Sequence, residues 1–141
     1  MQINLPNSPL RILNSYVIKG EERNLLIDTG FNHPECKETV LNELKEIGVD
    51  MADTDILLTH LHADHTGLAP ELVVPGTRVF LTRQEIPWMR GESRRKLWEK
   101  DNIRMLRSGF APETIENRKT FSSSRGMASN PDFNEYLPID E

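Results

Sequence analysis

Residues 55–67 read DILLTHLHADHTG, an apolar run short enough for a buried strand followed at once by a histidine cluster. Three of the chain's 4 histidines, His60, His62 and His65, fall in this cluster with Asp64 among them. Imidazole nitrogens and a carboxylate form a borderline donor set that suits zinc, iron or manganese. Four donors so close in sequence are hard to wrap around one ion as a tetrahedron. A more natural division lets His60 and His62, two positions apart on extended chain, share one ion. Asp64 and His65, where the chain turns, then face a second. Two metals about 3.5–4 Å apart make a hydrolytic clamp, deprotonating a water and polarising the scissile group. A loop just beyond a strand's carboxyl end is also where α/β sheets commonly build their sites.

Upstream, LRILNSYVIK (10–19) and NLLID (24–28) are β-rich runs separated by the polar turn GEER, the pattern of an antiparallel hairpin. Asp28-Thr29-Gly30 ends the second run in a tight turn. HPECKETVLNELKEIG (33–48) reads as a helix, with His33 as cap and Pro34 at the tolerated first position. Cys36, Val40, Leu44 and Ile47 would share its apolar face, and Gly48 would stop it. Downstream, RVFLT (78–82) is a further strand and residues 84–118 turn helical in character. The first helical piece holds Trp88 and Met89 and ends at Gly91. The second holds Leu97, Trp98, Met105 and Leu106 and ends at Gly109, and Pro112 opens a third. The tryptophans are expected in the core. The Ser-, Asn-, Asp- and Pro-rich tail reads as loop, with YLPI (136–139) able to start another strand.

A chain of 141 residues with 37% hydrophobic and 28% charged residues is that of a globular domain with a real core. Its net charge of −5 argues against nucleic acid as a partner. The lone Cys36 excludes an internal disulfide and fits a reducing cytoplasm. No signal peptide or membrane span is evident. Between Arg83 and Arg107 the sequence carries eight basic residues against four acids, which reads as a solvated helix face before it reads as an anion-binding lid.

His60-x-His62-x-Asp64-His65, preceded by ILLT and followed by Gly67, resembles the metal motif of the metallo-β-lactamase superfamily, and NSYVIKGEERNLLIDTG (14–30) resembles its opening hairpin and Asp-Thr-Gly turn. The resemblance covers roughly residues 10–82. It implies an α/β architecture: the N-terminal half of an αβ/βα sandwich, a β-sheet with helices on one face, extended by a helical insertion. The expected layout is one truncated domain over 1–141, with a core half-domain at 1–82, the insertion at 83–121 and a tail at 122–141. The family implies two zinc ions, with iron or manganese as alternatives, on His60 and His62 and on Asp64 and His65. Asp64 would also lie near the attacking water and act as the catalytic residue. Asp28 would orient the histidine loop through hydrogen bonds, although a plain turn-capping aspartate explains it equally. His33 has no family counterpart.

The family's remaining ligands, including two histidines, have no candidates here, since no histidine follows His65. Asp101, Asp132 and Asp140 lack any motif around them. The expected activity is hydrolysis of an ester, thioester or lactone, on a small substrate whose anionic character the basic segment hints at. Iron redox chemistry and a non-catalytic association half-domain are the alternatives, with metal held weakly or not at all. The apolar strands LLI and ILLT, buried on both faces in the complete fold, would leave one face uncovered here, so a homo-oligomer is expected.

Overall fold

The structure, a computed structural model, describes residues 1–90, 92–118, 127, 128, 130 and 132–140. Among them the elements run β1 (Gln2–Asn4), β2 (Ile12–Asn14), β3 (Tyr16–Ile18), β4 (Asn24–Ile27), α1 (Pro34–Glu46), β5 (Thr54–Leu57), α2 (Ala63–Thr66), α3 (Ala69–Leu72), β6 (Arg78–Thr82), α4 (Ile86–Met89), α5 (Glu92–Arg107), α6 (Pro112–Arg118) and β7 (Tyr136–Ile139). A 3-10 turn, Met51–Asp53, leads into β5.

The principal sheet has the order β3-β4-β5-β6-β7. The expected hairpin is present as the antiparallel pair β3–β4, and β4 through β7 are parallel to one another. Strand β7 is the YLPI run of the tail. The stretch 10–19 is not one strand, however. It is interrupted at Ser15, whose hydroxyl donates to the carbonyls of Ile27 and Asp28. On the far side of Ser15, β2 pairs with β1 in a separate two-stranded sheet. Arg11, at φ 64°, begins β2 out of a left-handed turn.

Strand register puts Leu26, Ile56, Val79 and Tyr136 in one row across β4–β7, all buried. Cys36, Val40 and Leu44 of α1 and Ala69 and Leu72 of α3 belong to the same core cluster. Helix α1 forms because Pro34 supplies a pre-set φ at its start while the His33 ring accepts the Glu35 amide at 3.3 Å. Gly48, at φ 68°, follows its end. Ile47 does not join the buried face as expected. It lies past the last helical residue and is 37% exposed.

The opposite sheet face carries the row Tyr16–Ile27–Leu57–Phe80–Leu137 through all five strands. Tyr16 and Leu137 are exposed and the three between them half-buried, so LLI and ILLT are fully buried on one face only. Asp55 also lies on this face, where it accepts hydrogen bonds from both Arg23 and Arg78.

Helices α4, α5 and α6 fill the segment expected to be helical, and Gly109 (φ 85°) follows the second of them as expected. Trp88 and Trp98 are half-buried and lie outside the core cluster, a departure from expectation. Gly91 as a helix end, and the boundary between residues 121 and 122, fall outside the described residues.

Candidate metal centre

The parallel strands β4, β5 and β6 all point their carboxyl ends at the histidine loop. Asp28 follows β4 with φ 60°, a left-handed conformation that aspartate tolerates better than most residues. Its amide donates to the Leu57 carbonyl, tying the turn to the end of β5. The next residue, Thr29, donates its amide and its hydroxyl to the His65 carbonyl at 2.8 and 2.9 Å. The turn and the motif are therefore fastened before any side-chain chemistry is considered.

The structure brings His60, His62, Asp64 and His65 together. His60 Nε2 and His62 Nδ1 are 3.0 Å apart, and Asp64 Oδ2 and His65 Nε2 are 3.5 Å apart. The His60 and His65 rings are 4.1 Å apart centre to centre, which joins the two pairs. Asp64 and His65 sit on the short helix α2, and His62 is the residue before it.

Asp28 reaches both pairs. Its Oδ2 accepts from His65 Nδ1 at 2.7 Å, and its carboxylate accepts the Thr59 amide at 2.9 Å and the Thr59 hydroxyl at 2.8 Å. The Thr59 oxygen lies 3.0 Å from His60 Nδ1. A carboxylate only accepts, so the Thr59 hydroxyl gives it its proton and is left to accept from His60. Both His60 and His65 thus carry their proton on Nδ1, and the Nε2 lone pair of each faces its partner donor. This is how metal-binding histidines are set by their hydrogen bonds. Burial, together with the neighbouring His65 and His62 rings, holds His60 below its ordinary pKa of 6.5, which favours the neutral imidazole.

Two ligands at about 2.0–2.1 Å from one tetrahedral ion stand roughly 3.3 Å apart. The donors here match in kind and in pairwise spacing. They do not match in number: among the described residues no three His, Cys, Asp or Glu side chains converge as a metal cage. Asp140 ion-pairs with Arg83 on the surface at 2.7 Å.

The remaining candidates lie elsewhere. His33 caps α1. Buried Cys36 is 3.2 Å from the Asn4 carbonyl, and burial pushes its thiol up, away from reactivity. Of the basic residues around the helical segment, Arg83 pairs with Asp140 and Arg90 donates to the Asn134 carbonyl. Thr59, Glu85 and Met127 carry no signal in the sequence, yet all three act here. The Glu85 carboxylate accepts the Leu61 amide at 3.2 Å, and the Met127 carbonyl accepts the Asn32 amide at 2.8 Å beside Gly67.

Over residues 9–76 this chain matches the family model described as the metallo-beta-lactamase superfamily. Its structure is similar to that of a metallo-beta-lactamase family protein from Thermus thermophilus, with a TM-score of 0.71 and 27% identity, covering 99% of this chain and 44% of that one. In sequence it is 40% identical over 60 residues to an atrochrysone carboxyl ACP thioesterase of Aspergillus novofumigatus, a match to 43% of this chain and 18% of the relative. A lactamase-like protein of Pestalotiopsis fici is 38% identical over 60 residues, with the same coverage. The matched region thus spans about a fifth of the length of these curated relatives. Among the described residues no helix is long and apolar enough to cross a membrane.

Proposed function

We propose that this chain carries the metal-binding half of a hydrolase that cleaves an ester, thioester or lactone. The observation that carries the reading is the pairing of donors, His60 Nε2 with His62 Nδ1 and Asp64 Oδ2 with His65 Nε2, behind which Asp28 fixes the rings. His60 and His62 would hold one ion, and Asp64 and His65 a second, zinc being the best match to this donor set. Metal ions bound there would lower the pKa of water and polarise the scissile carbonyl. Asp64 would orient the attacking water, while Asp28 and Thr59 keep the imidazoles in the metal-binding tautomer. Two protein donors per ion fall short of the usual three or four, so this chain alone should hold metal loosely.

A thioester is the favoured substrate class, because a relative 40% identical over 60 residues is named as an acyl-carrier-protein thioesterase. The basic balance between Arg83 and Arg107 supports an anionic substrate. On this reading residues 1–82 carry the centre and the helical segment 84–118 closes part of the substrate pocket within one domain. A cytoplasmic setting suits the single reduced cysteine.

The test is hydrolysis of simple thioesters, esters and lactones by the protein supplied with zinc, iron or manganese, with absorption spectra recorded for each. This chain by itself should show little or no turnover, and in the full-length hydrolase Asp64→Ala should remove nearly all of it. An Asp64→Ala protein that works at the parental rate would overturn the assignment.

A further inference from the structure

We propose that Glu85 is a positioning residue for the histidine cluster, holding the backbone between His60 and His62. The inference rests in part on the metal-centre reading above, although the anchor itself is independent of any ion. Its starting point is a helix boundary. Glu85 is the residue before α4, where short side chains such as Ser, Thr, Asp or Asn normally turn back to cap the first amides. The Glu85 side chain makes no such cap. Its backbone carbonyl already accepts the Trp88 and Met89 amides, which leaves the carboxylate free to act elsewhere.

That carboxylate turns toward the metal loop. Oε1 accepts the Leu61 amide at 3.2 Å, and Oε2 accepts the Thr82 hydroxyl at 3.3 Å. Leu61 is the single residue between His60 and His62. Its peptide therefore sets the spacing of the two ring nitrogens, 3.0 Å apart, that form the first donor pair. The chain bends through Thr59, His60 and Leu61 beyond the end of β5, so the Leu61 amide lies outside the strand pairing of the sheet. A charged acceptor satisfies it more strongly than water or a neutral group would.

The loop is consequently pinned from two sides by two acids on different elements. Asp28, after β4, holds Thr59 and His65, and Glu85, after β6, holds Leu61. Neither substitutes for the other, because they grip different peptides. Fixing a donor pair before the ion arrives is what separates a preorganised site from a flexible one.

The experiment uses the 141-residue chain without metal, comparing wild type, Glu85→Ala and Glu85→Gln. Amide hydrogen exchange by NMR reads the anchor directly. In Glu85→Ala the Leu61 amide should exchange at least about tenfold faster, as expected for loss of a hydrogen bond to a charged acceptor. In Glu85→Gln, whose side-chain carbonyl still accepts, protection should be largely restored. Amides of β5 and α1 should not change in either variant. Zinc affinity by competition with a chromophoric chelator should fall in the alanine variant and recover in the glutamine variant. If the alanine variant does not fold, Glu85→Asp, one methylene too short to reach Leu61, takes its place. Unchanged Leu61 exchange in a folded alanine or aspartate variant overturns the anchor, whatever the metal does. Faster exchange with no zinc binding by wild type sinks the metal reading and leaves the anchor standing.

Discussion

The Asp28 carboxylate and the His65 imidazole meet at 2.7 Å, although Asp28 lies in the turn after β4 and His65 on helix α2 beyond β5. The contact links a residue in a left-handed backbone conformation to a donor of the candidate centre. Two substitutions separate these two properties. Asp28→Asn keeps a residue type that tolerates the conformation but removes the charge. Asp28→Ala removes the charge and adds backbone strain of about 1 kcal/mol. Zinc affinity should fall roughly 10–100-fold in both, while thermal unfolding should show the larger loss for alanine. Equal affinity in Asp28→Asn and wild type would show that the carboxylate does not orient the rings.

Gly67 is required by crowding rather than by a special φ. A Cβ there would stand 2.5 Å from the Ala63 and Met127 carbonyl oxygens and 2.7 Å from the Asn32 nitrogen, all backbone atoms. Backbone cannot swing aside as a side-chain tip can, so Gly67→Ala should cost about 3 kcal/mol or more. Denaturant unfolding measures this, and a loss below about 0.5 kcal/mol, the ordinary surface range, would contradict it.

Acid should weaken the fold through Asp55. Hydrogen bonds from Arg78, opposed by burial and joined by those from Arg23, hold its carboxyl below the ordinary 3.8. The unfolded chain therefore binds the proton more readily. The stability that Asp55 contributes is present above pH 3.8 and is lost as the pH falls through its lower folded value. Asp55→Asn should destabilise by roughly 2 kcal/mol near neutral pH, by leaving two guanidiniums poorly paired. Urea titrations of both proteins should converge as the pH drops below that range. A difference that stays constant into strong acid would show that the carboxylate charge is not the source.

The open sheet face should drive self-association. Tyr16 is 60% exposed and Leu137 41%, with Ile27, Leu57 and Phe80 between them in one row. Burying apolar surface is worth about 25 cal/mol per Å², and a second copy offers a like face. Sedimentation at micromolar concentration should show a dimer or larger species, which Tyr16→Lys with Leu137→Lys should dissociate. A wild-type monomer would contradict the expectation.

Most of the candidate centre was legible because its donors are local in sequence. His60, His62, Asp64 and His65 needed only spacing and donor chemistry, and α1 announced itself through His33, Pro34 and the Cys36–Val40–Leu44 stripe. What could not be read depends on distant partners. Strand β1 is three residues long, too short to show a period, and exists because Ile3 pairs opposite Leu13. The break at Ser15 depends on two carbonyls beyond the hairpin turn. Glu85 resembled any surface acid until α4 began beside it and Leu61 came within reach. Ile47 fitted the helical period, but the helix stopped one residue earlier.

The position of β7 has a consequence for how the molecule is made. It pairs with β6 at the margin of the sheet, yet it follows Thr82 only after three helices. On a ribosome adding about 5–20 residues per second, β6 waits for several seconds with one side unpaired. An unpaired strand is a template for a neighbouring nascent chain, and Val79, Phe80 and Leu81 make this one adhesive. The Met127 carbonyl that closes on Asn32 beside Gly67 is delivered in the same late interval. His65 is synthesised well before Met127, so the histidine loop waits through that interval before this last contact forms.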